Sequence, residues 1–409
     1  MGKDLGRSST AGPGPDRRTF LRLAALGVMA GPGALARPDG PAGRDARQPS
    51  PAATGDLDHA IIVNALGGLD DPNAELAAPP PGGAAAGGRI VIGPRAIRDA
   101  HASGLTAVNV TLGYVAGPEE PFEYTVRTIG EWDRAVREHA ADLLRVHTAG
   151  DIRRARQEGR IGVIYGFQNG AAIGDKPDRV ETFGNLGVRV IQLTYNPRNQ
   201  LGDGSMVAEN RGLTALGREV VARLNEQRIM IDLSHSGENT CLEAARLSRQ
   251  PVSINHTGCR ALVDLPRNKT DQELRQVAAQ GGFVGIYFMP FVSPSGHAVA
   301  ADVVAHVEHA IDICGEDHVG IGTDGSVTAI DDLEAYKVQL AKEVAARAAA
   351  GIGAKGERAD TYPFVVDLRG VDQFRQLARL LRQRGHSPAR IEKILGSNFL
   401  RFAETVWGS

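Results

Sequence analysis

The segment IMIDLSHSG, residues 229–237, is a short apolar run that ends on a histidine, and PVSINHTG, residues 251–258, repeats the pattern further along the chain. Largely apolar runs of this kind are typical of parallel strands that are covered on both faces. His235 and His256 end the two runs. Because catalytic side chains of a parallel barrel lie at the carboxyl ends of its strands, the two histidines indicate a shared site.

Eight such runs alternate with segments of helical spacing along the chain. The runs are IIVNA (61–65), LTAVNVTL (105–112), RIGVIYGFQ (160–168), VRVIQLTY (188–195), IMIDLSH (229–235), PVSINH (251–256), FVGIYF (283–288) and HVGIGTD (318–324). Thr270 followed by Glu273 predicts a capping box, and Ser387 before Pro388 predicts another helix start. We therefore predict an α/β fold, a (β/α)8 barrel of the TIM type with additional helices at the C-terminus. An open doubly wound sheet is the alternative.

The composition supports a large folded core and argues against a nucleic-acid partner. The chain has 409 residues, 42% of them hydrophobic, and a formal net charge of −2. We expect no nucleic-acid binding, because no basic face with interleaved aromatic residues occurs. The three cysteines, Cys241, Cys259 and Cys314, lack C-x-x-C spacing and do not predict a cysteine-based zinc site. Their pairing stays open.

The N-terminal part of the chain has the pattern of an export signal. A twin arginine, Arg17 and Arg18, precedes an apolar run and the small-residue sequence ALA at 34–36. We expect a periplasmic or extracellular protein without a stable membrane span after cleavage, and an uncleaved anchor is the alternative. The predicted organisation is a twin-arginine signal peptide at 1–36, a flexible linker at 37–56 and the barrel domain at 57–409.

Polar side chains end five of the eight runs and are candidates for a site at one end of the barrel. They are Gln168, Tyr195, His235, His256 and Asp324. Two imidazoles with carboxylate or amide oxygens suit a transition metal. The segment GIGTDG, residues 320–325, has the spacing of a dinucleotide-binding loop, but it follows the last strand rather than the first. We interpret it as a tight turn that presents Asp324.

Several longer segments resemble the membrane (renal-type) dipeptidase family, the M19 metallopeptidases. They include GVRVIQLTYNPRN, GLTALGREVVARLNEQRIMIDLSHSG, PVSINHTGCRAL, PRNKTDQELRQVAAQGGFVGI, DHVGIGTDG and ILGSNFLRF. The resemblance implies a barrel like that of metallo-dependent hydrolases and a small peptide or amide substrate. It also implies two zinc ions that share a bridging glutamate, with a water or hydroxide as nucleophile. Relatives commonly form dimers, so a homodimer is among the expectations.

The resemblance assigns roles to individual residues. His235 and His256 match two histidines of the second zinc site. Asp324 matches an aspartate near the nucleophilic water and the substrate's amino group. Arg267 matches an arginine that receives the substrate carboxylate, a role that suits its fork of donors. Asn199, in the long polar loop after the fourth run, is a further candidate for substrate binding.

Three positions depart from the family pattern. A His-x-Asp that ligates the first zinc falls near Leu66 and Gly68, and the bridging glutamate falls at Gln168. A histidine that polarises the substrate carbonyl falls at Tyr195, which could donate to an oxyanion instead. We therefore expect one zinc ion rather than two, held weakly by the two histidines with help from Gln168, or no metal.

Three functions remain open from the sequence. The preferred one is an exported metallodipeptidase-like hydrolase that cleaves a small dipeptide or related amide by metal-activated water, with Asp324 as general base. The second keeps the barrel but changes the chemistry, for example to the tailoring of a peptide-derived natural product. The third is a non-catalytic peptide-binding protein.

Overall fold

A computed structural model describes residues 57, 59–74 and 90–409 of the chain. The predicted signal peptide (1–36) and linker (37–56) lie outside these residues. Within them, none of the helices is both long enough and apolar enough to cross a membrane. All three cysteines are buried free thiols.

Parallel strands form the centre of the fold. In chain order, the described strands are β1 (Val63–Asn64), β2 (Gly67–Gly68), β3 (Ala107–Thr111), β4 (Leu143–Val146), β5 (Ile161–Phe167), β6 (Val190–Gln192), β7 (Met230–Asp232), β8 (Ser253–Thr257), β9 (Phe283–Ile286), β10 (Val319–Ile321) and β11 (Gly325–Ser326). Eight of them follow one another around a single sheet in the order β1, β3, β5, β6, β7, β8, β9, β10. Each predicted run contains one of these eight strands.

The sheet curls into a nearly closed barrel. The N–H of Ala65, just after β1, donates to the carbonyl of Ile321 at the end of β10, with an N–O distance of 3.0 Å. This contact joins the first strand to the last. The predicted (β/α)8 architecture is therefore confirmed, and the open doubly wound sheet is not observed.

Helices cover the outside of the barrel. They are α1 (Pro94–Ser103), α2 (Pro121–Glu138), α3 (Ala149–Glu158), α4 (Arg179–Asn185), α5 (Ala215–Glu226), α6 (Glu238–Leu247), α7 (Asp271–Ala279), α8 (Ala300–Cys314), α9 (Leu333–Ala349), α10 (Gln373–Gln383), α11 (Pro388–Glu392) and α12 (Asn398–Trp407). The capping box of Thr270 and Glu273 begins α7, and Ser387 caps α11 with Pro388 at its first position. Both predicted helix starts are confirmed.

The C-terminal helix α12 packs beside β1, the first strand of the barrel. Phe399, Phe402 and Trp407 of α12 share a buried cluster with Val63 of β1 and Phe283 of β9. Before α12, a π-helical segment at Lys393–Ser397 passes so close to β1 that a Cβ at Gly396 would lie 2.2 Å from the carbonyl oxygen of Ile61. Only glycine fits at this crossing. The opposite, carboxyl end of the barrel is left open for a site.

Candidate active site

Two histidines meet at the carboxyl end of the barrel, as their places in the sequence predict. His235 follows β7 and His256 lies in β8, and their Nε2 atoms are 3.0 Å apart. The exposed fraction of His235 is 4% and that of His256 is 0%. Two nitrogen atoms at this separation can share one proton or face one cation.

The amide of Asn196 decides which nitrogen of His235 carries the proton. The Asn196 Nδ2 group donates to the carbonyl of Ile352 at 2.8 Å, so its Oδ1 atom is left as the acceptor. That oxygen lies 2.7 Å from Nδ1 of His235, which must therefore be the donor. The Nε2 atom of neutral His235 consequently presents a lone pair toward His256.

Both imidazoles are held in the neutral form. Burial, and then the nearby Arg267 guanidinium, keep the pKa of His235 and the pKa of His256 well below the usual value. The Nδ1 atom of His256 is buried without a hydrogen-bond partner within the structure described. Neutral rings with free lone pairs are the form in which histidine binds metals.

Tyr195 extends the site from β6 toward the cavity. Its ring stacks on His235 with a centroid distance of 4.2 Å and an interplanar angle of 23°. The phenol oxygen accepts from Nη2 of Arg347 at 3.2 Å, so its own hydrogen is available to another acceptor. Burial raises the pKa of Tyr195, which keeps the phenol protonated. Arg347 is itself oriented by Glu357, with an Nη2–Oε1 distance of 2.7 Å.

Arg267 is buried beside the histidines, with an exposed fraction of 1%. Its Nη1 group donates to the carbonyl of Ser234 at 2.6 Å and its Nη2 group to the carbonyl of His256 at 3.0 Å. These contacts fix the plane of the guanidinium, which also lines the cavity. A guanidinium has five N–H donors, so donors remain for a ligand.

Asp324 is presented by a strained turn after β10. Its φ angle is 59°, in the left-handed region that a residue other than glycine rarely adopts, and its N–H donates to the carbonyl of Leu66 at 2.9 Å. Asp324 lines the cavity and is partly exposed. Desolvation raises the pKa of Asp324 to about 6, although Arg267 opposes the shift. The predicted turn that presents Asp324 is therefore present.

A cavity that is partly open to solvent is lined by most of these groups, and the fully buried His256 is not among its lining residues. Tyr195, Asn196, His235, Arg267 and Asp324 line its barrel side. Its outer wall consists of residues from α9 and the segment after it, and these residues are Leu340, Glu343, Val344, Arg347, Ala354, Glu357, Arg358, Thr361 and Pro363. The cavity thus combines an apolar wall with a few convergent polar groups, as ligand sites commonly do.

Besides His256, two of the predicted site residues lie outside the cavity wall. The Nε2 group of Gln168 donates to Oγ1 of Thr111 at 2.9 Å, and Gln168 is not among the residues that line the cavity. Asn199 donates to the carbonyl of Leu193 at 2.7 Å and accepts from the N–H of Leu201 at 2.8 Å. It shapes the loop after β6 and does not line the cavity.

Few side chains near the two histidines could bind a metal ion. Among the described residues, no group of three or more His, Cys, Asp or Glu side chains is arranged to hold an ion. Leu66 and Gly68, near the end of β1, carry no ligating atom in their side chains. The described residues therefore offer two facing imidazoles without a third ligand, and they do not form a two-metal centre.

The sequence did not indicate three contributors to this site. Asn196 directly follows the predicted Tyr195, so its place after a strand was a usable signal. Arg347 and Glu357 lie in and after α9, far along the chain from β6, and no local pattern links them to Tyr195. Their pairing is a property of the folded chain.

Comparisons with known proteins agree with this fold. An amidohydrolase from Pseudomonas aeruginosa is 30% identical, over 87% of this chain and 98% of that chain, with a TM-score of 0.70. A metallo peptidase from Rhodobacter sphaeroides, solved with a phosphinate mimic of the dipeptide L-Ala-D-Ala, has a TM-score of 0.65 at 20% identity, over 85% of this chain and 100% of that chain. At this low identity, the second likeness concerns the fold alone.

Sequence comparison gives the family. Dipeptidase tcpJ from Claviceps purpurea is 26% identical over 264 residues, which are 64% of this chain and 54% of that protein. The family model described as membrane dipeptidase (peptidase family M19) matches residues 102–351. Because that match covers more than half of the chain, this protein belongs to the membrane dipeptidase family, peptidase family M19.

Proposed function

We propose that this protein is a dipeptidase-like hydrolase that acts on a small peptide or related amide with one zinc ion. The observation that carries the proposal is the pair of neutral imidazoles, His235 and His256, whose Nε2 atoms are 3.0 Å apart. His235 lines the cavity together with Tyr195 and Arg267. Bound at these two nitrogens, a zinc ion would supply a water molecule of lowered pKa.

The side chains around the cavity have complementary tasks in this proposal. Arg267 binds the carboxylate end of the ligand through the donors that its two backbone contacts leave over. Tyr195 donates its phenol hydrogen to the oxygen on which negative charge develops, since Arg347 already occupies a lone pair of the phenol oxygen. Both groups are preorganised, because each is fixed by contacts that exist without a ligand.

Asp324 serves as the general base. With a pKa of about 6 it is largely ionised at neutral pH, yet basic enough to accept a proton from water. Its place on the wall of the cavity also suits a contact with the ligand's amino group. If Asp324 both accepts the proton and contacts the amino group, the ligand must pass directly over this carboxylate.

Export is part of the proposal. The twin arginine at Arg17 and Arg18 supports a signal peptide at 1–36 and a linker at 37–56, ahead of the barrel domain at 57–409. The mature protein would then act in the periplasm or outside the cell. Determining the N-terminal residue of the exported protein tests this division, and a start before Ala36 contradicts the proposed cleavage.

Hydrolysis of a dipeptide panel tests the catalytic proposal. We expect turnover by the purified zinc-loaded protein and loss of turnover in His235→Ala. His101→Ala is the matched control, because this exposed imidazole in α1 has the carboxylate of Asp142 as its hydrogen-bond partner in the described part of the chain. Absence of turnover across the panel, or equal activity in the two variants, would refute the proposal.

A non-catalytic peptide-binding protein is the second candidate. The observation that favours it is the donor set, in which Gln168 donates to Thr111 and only two imidazoles face each other. Its signature is an increase in Tm with a dipeptide that neither a chelator nor His235→Ala removes. The altered-chemistry alternative would instead show turnover of a peptide-derived amide without dipeptide hydrolysis.

A further inference from the structure

A second cavity lies directly behind Asp324. It shares the residues Asp324 and Pro363 with the cavity described above. We call it the rear chamber; residues 323–326 and 328–330, with Phe288, Phe364 and Gln373, form most of its wall. Asp324 therefore has a cavity on each side.

Two buried polar atoms in the wall of the rear chamber have no partner among the described residues. They are Oγ1 of Thr328 and Nε2 of Gln373. The exposed fraction is only 4% for Thr328 and 3% for Gln373. A buried donor without an acceptor destabilises the folded chain, so such groups in a cavity wall indicate an incoming polar partner. A carbonyl oxygen would accept from both.

The remaining wall of the rear chamber combines apolar surface with charged groups. Phe288 and Phe364 supply aromatic surface, and Asp70 supplies a carboxyl group in addition to that of Asp324. The guanidinium of Arg369 also lines the chamber, and it donates to the carbonyls of Val366 and Ile330. Burial raises the pKa of Asp70 to about 6, so the group is largely ionised at neutral pH. The chamber thus offers an acceptor for an ammonium group, donors for a carbonyl and surface for an apolar side chain.

These three features match a single aminoacyl unit. We propose that the rear chamber binds an apolar N-terminal residue, so that the preferred ligand is a tripeptide rather than a dipeptide. Its carbonyl accepts from Thr328 and Gln373, its ammonium group faces Asp70, and its side chain packs on Phe288 and Phe364. This inference rests on the proposed function, because it takes the first cavity as the place of the two C-terminal residues.

Calorimetric binding of matched ligands tests the rear chamber without relying on turnover. The probes are analogues of Ala-Ala, Phe-Ala-Ala and Asp-Ala-Ala in which the bond between the two alanines is a non-hydrolysable reduced amide. We expect Phe-Ala-Ala to bind about tenfold more tightly than Ala-Ala, because burying an aromatic side chain stabilises a complex by at least about 1.5 kcal/mol. The Asp-Ala-Ala analogue should show no such gain, since it has no aromatic side chain to pack on Phe288 and Phe364.

Two variants locate the effect. Ala329 lines the rear chamber and is partly exposed, so Ala329→Phe fills the space. It should remove the tenfold gain and leave the affinity for Ala-Ala unchanged. Thr328→Val keeps the side-chain shape but lacks the hydroxyl, and it should lower the affinity for Phe-Ala-Ala about threefold.

The outcomes separate the two proposals. Equal affinity for Phe-Ala-Ala and Ala-Ala, or a gain that survives Ala329→Phe, overturns the rear chamber as a binding site. Binding of Phe-Ala-Ala that responds to Ala329→Phe, without any binding of Ala-Ala, supports the chamber and refutes the dipeptidase proposal. Failure of all three analogues to bind overturns both.

Discussion

At the scale of single residues, the site depends on side chains that orient other side chains. Asn196 sets the protonated nitrogen of His235, and Arg347 directs the phenol hydrogen of Tyr195. The sequence predicted His235, His256, Tyr195 and Asp324 at strand ends, because strand direction alone places them there. It could not predict Asn196 and Arg347 as partners, because their roles depend on contacts with Ile352 and Glu357.

Removing the amide of Asn196 should weaken zinc binding. Without its acceptor, Nδ1 of His235 no longer holds the proton, and the lone pair on Nε2 is lost for part of the time. We expect Asn196→Ala to raise the zinc Kd about 10- to 100-fold, as is usual for residues that orient a metal-binding histidine. Asn196→Asp keeps an acceptor and should retain most of the affinity. Equal losses in both variants would show that the amide does not act through the imidazole.

Removing the phenol hydroxyl of Tyr195 should affect the transition state more than ligand binding. We expect Tyr195→Phe to lower kcat for dipeptide hydrolysis about a hundredfold with little change in KM, because the hydroxyl would stabilise charge that develops during the reaction. Steady-state kinetics measure both constants. A raised KM with unchanged kcat would assign Tyr195 to substrate binding alone.

At the scale of elements, α8 is tied to the loop after β8 by a buried histidine. The Nδ1 atom of His306 accepts from the N–H of Cys259 at 2.8 Å, and its Nε2 lies 3.1 Å from the carbonyl of Val292, to which it donates. The contact in which Nδ1 accepts requires the neutral ring, because both ring nitrogens of a protonated imidazole are donors. Burial lowers the pKa of His306 to about 4.

This lowered pKa predicts a loss of stability in acid. Below about pH 6.5 the unfolded chain binds a proton at His306 that the folded chain does not bind, so the free energy of unfolding falls as the pH drops toward 4. We compare the free energy of unfolding of the wild type with that of His306→Gln. The difference in favour of the wild type should be about 3 kcal/mol smaller at about pH 4 than at about pH 7.5. Urea unfolding at several pH values measures this difference, and parallel curves for the two proteins would contradict it.

At the scale of the whole molecule, the barrel could be predicted and its outer wall could not. Each of the eight strands coincides with an apolar run, because buried parallel strands need apolar side chains on both faces. The short strand β4 contains Arg145 and therefore lacks an apolar run that would predict it. The pairing of β2 with β11 joins two segments that are far apart in the sequence, so no local pattern predicts it. The pairing of Arg347 with Tyr195 likewise joins residues that are distant in sequence.

The account rests on a single cation site formed by His235 and His256, and titration of zinc into the metal-stripped protein tests it most directly. Calorimetry near neutral pH should give one ion per chain for the wild type and for His101→Ala, and no binding for His256→Ala. Binding of two zinc ions per chain would contradict the account, and so would binding of one zinc ion by His256→Ala.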